Sequence, residues 1–175
     1  HIGRKITFID LFAGAGGLSE GFSNVGFEPI SHIEMNPDAC QTMRTRACYY
    51  YLKQNGKLDS YYSYLRGELT RNELYALVPK SVLDSVICET MNDETLPGIF
   101  KSVDTSMKTM GISQIDLVIG GPPCQAYSQV GRARKCMDND PRNELYKLYF
   151  QVLKKYNPAM FVFENVPGLL TAGNG

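Results

Sequence analysis

Short apolar runs alternate with longer amphipathic stretches along this chain. Residues 6–12 (ITFIDLF), 27–33, 115–119 and 160–163 are rich in Ile, Val, Leu and Phe, and a turn-forming or charged residue closes each run. Runs of that length and ending read as buried parallel strands. Residues 82–88 fit a strand or a helix equally well. Between the runs the spacing turns helical. Helices are expected over 19–25, from Pro37 to about Arg46, from Arg71 to about Val78, from Asn92 or Asp93 to Gly111, and over 143–156, where Leu145, Leu148, Tyr149, Val152 and Leu153 repeat at helical spacing. Asn36 before Pro37 is an N-cap signal, and Thr70-Arg71-Asn72-Glu73 is a capping box. Strand and helix in alternation predict an α/β domain with a doubly wound parallel sheet.

The residues just after the strands differ from the rest. Phe12-Ala13-Gly14-Ala15-Gly16-Gly17 follows the first run, and a helix follows it. Glycines there let a ligand lie against the backbone near the helix N-terminus, although such a turn also serves tight packing. Glu34 closes the second run, where a carboxylate accepts hydrogen bonds from ribose hydroxyls. Gly120-Gly121-Pro122-Pro123-Cys124 follows the fourth, and Glu164 the fifth. With strand order 3-2-1-4-5, these turns share one sheet edge, and the Cys124 turn borders both the glycine turn and Glu164. A rigid Pro-Pro turn followed by Cys124, Gln125 and Ser128 reads as a presented nucleophile, against the commoner fate of a buried structural thiol.

Composition narrows the picture. The 175 residues suffice for one domain, and 18 basic residues balance 18 acidic ones. A free-standing nucleic-acid binder is usually basic, so any phosphate grip lies on a local face or outside this chain. Five cysteines without a C-x-x-C pair, and two histidines, suggest neither a disulfide framework nor a metal site, and point to a reducing, cytoplasmic location. No membrane span or signal peptide is expected. Seven of the eleven tyrosines fall within an expected insertion at about 47–81, mixed with Lys53, Lys57, Arg66 and Arg71. Packing of the insertion onto the domain is preferred over base stacking as their role.

Three stretches carry a resemblance. FIDLFAGAGGLSEGF (8–22), GGPPCQAYSQVG (120–131) and FENVPGLL (163–170) resemble, in family order, the cofactor loop, the Pro-Cys-Gln nucleophile loop and the Glu-Asn-Val segment of the DNA (cytosine-5) methyltransferases. The resemblance implies a Rossmann-like methyltransferase fold over 1–175 and S-adenosylmethionine as cofactor, with S-adenosylhomocysteine as product. It implies methylation of cytosine C5 in double-stranded DNA, in a restriction-modification setting, through a cysteine adduct. Carried over by residue, Cys124 is the nucleophile and Glu164 the acid at the cytosine ring. Phe12, Ala13, Gly14, Ala15, Gly16 and Gly17 line the methionine side, Glu34 holds the ribose, and Met35 packs on the adenine. Gly121 and Pro123 belong to the cofactor-facing loop, and Leu145, in Asp140-Pro141-Arg142-Asn143-Glu144-Leu145, borders the cofactor.

An acidic and an aliphatic residue should follow the third strand, where Glu89, Thr90, Met91 and Asp93 compete. No residue is assigned as the base that removes the C5 proton. In the family an Arg-x-Arg segment, a target-recognition region and a closing segment lie C-terminal to these three stretches, and this sequence stops before them. The expectation is therefore a fragment, or one piece of a split enzyme whose other half is a separate chain, which folds but does not methylate DNA alone. RNA as substrate, a non-catalytic cofactor-binding module and a nicotinamide dehydrogenase are the rival readings. The last lacks the third glycine of G-x-G-x-x-G.

Overall fold

The computed structural model describes residues 4–122 and 145–164. In TFIDL every residue is buried, which only a central strand permits. This is β1 (Thr7–Leu11), and it pairs in parallel with β2 (Glu28–Glu34) on one side and β4 (Leu117–Gly120) on the other. The three-residue β3 (Val86–Cys88) pairs with β2, and β5 (Met160–Phe163) pairs with β4. The sheet order is β3-β2-β1-β4-β5, the order assumed above for a doubly wound sheet.

Right-handed crossovers place helices on both faces. Helices α1 (Gly17–Asn24) and α2 (Pro37–Gln54) cover one face. Helices α6 (Leu96–Met110) and α7 (Leu145–Tyr156) cover the other, joined to each other by Lys155 to Asp104. On the α6/α7 face Ile9, Leu11, Ile33, Ile99, Val103, Val118, Leu148 and Val152 form the main core. On the other face Phe8, Leu117 and Ile119 pack with Phe22, Phe27 and Val162. Tyr149 is 2% exposed, and its hydroxyl reaches both Val118 O and Val162 O, tying α7 to β4 and β5.

The insertion differs from expectation at its start. Helix α2 does not stop near Arg46 but continues to Gln54, because Cys48 and Leu52 prolong the buried stripe begun by Cys40 and Met43. Three short helices follow: α3 (Leu58–Leu65), α4 (Arg71–Ala76) and α5 (Lys80–Asp84). Cys48, Leu52, Leu74 and Val78 make a small second core, with Tyr51, Tyr61, Tyr64 and Tyr75 packed around it. Those four tyrosines are packing residues. Thr70 and Glu73 form the expected capping box at α4. The ambiguous stretch 82–88 is both things in turn, the end of α5 and then β3.

Burial pushes the Cys40 thiol up to about 12 and the Cys48 thiol up to about 11. Cys88 is exposed. At pH 8 an alkylating reagent should therefore modify Cys88 in the native protein and leave Cys40 and Cys48 intact until unfolding, read residue by residue in a mass spectrum. Native-state labelling of Cys48 would show that α2 and the insertion come apart.

Candidate active site

The ladder of the sheet runs one or two residues past its strands. Ala13 N donates to Ile33 O (3.0 Å), Glu89 N to Glu34 O (3.0 Å) and Glu164 N to Gly120 O (2.9 Å). These bonds hold the turns after β1, β2, β3, β4 and β5 in one row at the carboxyl edge, where open α/β sheets bind ligands.

The glycine turn is contorted in a specific way. Phe12, Gly14 and Gly16 all have positive φ, at 56°, 55° and 81°. For Phe12 this left-handed backbone costs roughly 1–2 kcal/mol, and the ring offsets it by packing on the α6/α7 core. A Cβ on Gly14 or Gly17 would meet nothing within 4 Å, so open space lies against the turn at both. Glu34 braces the turn from β2. Its Oε2 accepts from Gly14 N (2.7 Å) and its Oε1 from Asn36 N (2.8 Å). A carboxylate has about four lone-pair sites, so roughly two remain for hydroxyl donors. Met35, next to it, is 64% exposed. Asn36 caps α2 as expected, accepting from Asp38 N and Ala39 N.

Two glycines after β4 are required by contact. A Cβ at Gly120 would collide with the backbone carbonyl of Leu11, and one at Gly121 would overlap the Glu164 carboxylate. The Glu164 side chain thus lies directly over Gly121, three residues before Cys124. Pro123 and Cys124 fall outside the described residues, as do residues 129–144 and the segment after Glu164. Leu145 opens α7 and packs on the edge of the core.

After β3 the competitors separate. Met91 is 5% exposed and belongs to the main core. Asp93 Oδ1 accepts from Gln151 Nε2 of α7 (3.1 Å). Glu89 remains exposed on the edge, beside Glu34.

Sequence reasoning missed two groups. Asp10 and His32 face each other across β1 and β2, with Oδ2 and Nδ1 3.9 Å apart and both without a hydrogen-bond partner. Asp10 is 1% exposed, and an acidic residue in an apolar strand run is the signal that marks it. Behind the glycine turn, Arg46, Glu20 and Tyr50 form a second cluster. Arg46 Nη1 donates to Ala15 O (2.9 Å) and Gly16 O (3.1 Å), and its Nε lies 3.4 Å from Glu20. Tyr50 donates to Glu20, and burial followed by that bond pushes its phenol up to about 12. No spacing in the sequence announces this cluster, because its acceptors are main-chain carbonyls. Among the described residues, no group of three or more His, Cys, Asp or Glu is placed to hold a metal, and no helix is long and apolar enough to cross a membrane.

A doubly wound sheet with an open glycine turn after β1, a carboxylate closing β2 and a second carboxylate over the Gly-Gly turn of β4 makes an α/β domain whose candidate site is the carboxyl edge. The chain belongs to the C-5 cytosine-specific DNA methylase family, whose sequence model matches residues 6–61 and 68–175. It is 39% identical to the type II methyltransferase M.Bpa9945I of Bacillus paralicheniformis, over 95% of this chain and 42% of that protein. It is 31% identical to M1.HphI of Haemophilus parahaemolyticus, over 98% of this chain and 35% of that protein. A prophage-encoded protein of E. coli, described as a DNA modification methyltransferase, has a crystal structure that superposes with a TM-score of 0.52 at 25% identity. That match covers 96% of this chain and 34% of that one. The chain spans less than half the length of these relatives.

Proposed function

We propose that this chain binds S-adenosylmethionine and carries the catalytic residues for methyl transfer to cytosine C5 in double-stranded DNA. The observation that carries the reading is the Glu164 carboxylate seated over Gly121, on the strand end next to the glycine turn and three residues from Cys124. When bound, the cofactor supplies an electrophilic methyl on its sulfonium. Open space at Gly14 and Gly17, and the spare acceptor sites of Glu34, fit its aminoacyl and ribose parts. Phe12, Ala13, Ala15 and Gly16 complete the wall on the methionine side, and Met35 offers an exposed apolar surface to the adenine.

The chemistry needs a nucleophile and an acid together. Cytosine C5 is a weak nucleophile, and the Cys124 thiolate activates it by adding to C6, which leaves an enamine. C5 of that enamine takes the methyl, after negative charge has gathered at N3 during the addition of the thiolate. Glu164 as a carboxylic acid donates a hydrogen bond there and lowers the barrier. A base then removes the C5 proton, the C6–S bond breaks, and the thiolate is restored. The target base has to leave the duplex stack to reach Cys124. Reading of the target sequence we place in the further length that the relatives possess, whether on the same polypeptide or a partner chain.

Calorimetric titration tests the reading: S-adenosylmethionine should bind and NAD should not. Binding of NAD alone would overturn it. In the same assay Glu34→Ala should weaken S-adenosylmethionine by about 1.5–3 kcal/mol, the range for a hydrogen bond to a charged group. An unchanged dissociation constant would remove Glu34 from the pocket.

A further inference from the structure

We infer that Arg46 is a positioning residue that locks the cofactor turn from behind, and that the proposed S-adenosylmethionine site is only half built without it. The inference rests on the cofactor reading above. The turn is anchored at two ends. Glu34 holds its first half through Gly14 N. Arg46, twelve residues further on and in the third turn of α2, holds its second half through the carbonyls of Ala15 and Gly16. One guanidinium nitrogen bridges two successive carbonyls, a demand that a planar, permanently charged donor meets well.

The fit around Arg46 is close. Gly16 lies in the left-handed region at φ 81°, and a Cβ there would sit 2.7 Å from Arg46 Nη1. The glycine is therefore needed twice, for its backbone conformation and for the space the guanidinium fills. Gly16 O also receives Glu20 N (3.0 Å) and Ser19 Oγ (3.2 Å), so the first helical bond of α1, a buried serine and Arg46 converge on one carbonyl. Glu20 lies opposite the Arg46 Nε at 3.4 Å, and the Tyr50 hydroxyl holds Glu20 from α2. Arg46 thus touches the turn on one side and its own orienting pair on the other. Its bonds go to the outer carbonyls, leaving open space at Gly14 and Gly17.

A turn with three residues of positive φ is costly to order. If ordering waited for the ligand, that cost would be subtracted from affinity. Arg46 bears only on the turn, which is assigned to the methionine moiety, whereas Glu34 bears on both the turn and the ribose. Their losses should therefore differ by ligand. S-adenosylhomocysteine carries both parts and adenosine only one.

The experiment is calorimetric titration of the protein and its Arg46→Met variant with S-adenosylhomocysteine and with adenosine, alongside thermal melting. The variant keeps the length and apolar stem of the side chain and removes its donors. Expected is a loss of about tenfold or more for S-adenosylhomocysteine, adenosine affinity within about twofold, and a melting midpoint close to that of the parent. Arg46→Lys, which retains charge without the fork, should recover part of the loss. Glu20→Gln, which leaves Arg46 in place but frees it, should show a smaller loss with the same ligand preference and serves if Arg46→Met does not fold. Unchanged affinity in folded variants overturns the inference. So does an equal loss for both ligands with a lowered midpoint, which marks a purely structural role. If the parent itself fails to bind S-adenosylhomocysteine, the cofactor reading falls, and the clamp with it.

Discussion

Cys124→Ser should reduce methyl transfer by roughly 10³-fold or more while leaving S-adenosylmethionine affinity within about twofold. The expected loss is large because the reaction has no other way to raise electron density at C5. A serine hydroxyl is far less acidic than a thiol and adds poorly to C6. Cofactor affinity should be spared because the proposed cofactor contacts are the glycine turn after β1 and Glu34 at the end of β2, not the thiol. A second readout separates nucleophile from bystander. Duplex DNA with 5-fluorocytosine at the target should become covalently attached to the full-length protein, since fluorine blocks the proton removal that releases the enzyme. Attachment that persists in Cys124→Ser, or that maps to Cys136 or the exposed Cys88, would end the assignment.

The second large effect is expected from one added methyl. In Gly121→Ala the new Cβ occupies the space of the Glu164 carboxylate. The nearest obstacle is the end of a flexible side chain, which can swing aside, while the Glu164 backbone oxygen, 3.3 Å from the new Cβ, has to give by only a few tenths of an ångström. The proposed acid would then no longer face the cytosine. The chemical step should fall by about 10²–10⁴, the range for a lost general acid, with little change in melting midpoint. Glu164→Gln should fall by a comparable factor, and the two changes combined should cost little more than either alone, because both remove the same function. Additive losses would show that Gly121 acts separately from Glu164. Gly120→Ala is the contrasting control: its Cβ meets the Leu11 carbonyl, which cannot move without disturbing β1. There the protein itself should be destabilised, with loss of the native melt.

Much of this was legible from residue order because strand ends announce themselves. An apolar run closed by glycine, proline or a carboxylate marks both a strand and the point where the chain leaves the sheet. The turns after β1, β2, β4 and β5 could be placed on one edge from that alone. Helix α2 was misjudged at its far end for a physical reason. Cys48 and Leu52 continue its buried face, but their partners Leu74 and Val78 lie more than twenty residues away. Nothing local says whether Tyr49, Tyr50 and Tyr51 leave the helix or stay in it.

The sequence by itself determined the strand runs, the position of Glu34 at the end of β2 and the family resemblance, since these follow from local patterns, whereas the strand order was a premise of the reading that the sheet bears out. Only the tertiary structure decided three things. It set Glu164 against Gly121, a contact between neighbouring strands 43 residues apart in sequence. It sorted the residues after β3, sending Met91 into the core and Asp93 to α7. It put Arg46 behind the glycine turn, where its partners are main-chain carbonyls that every residue carries, so no pattern of side chains could have identified them.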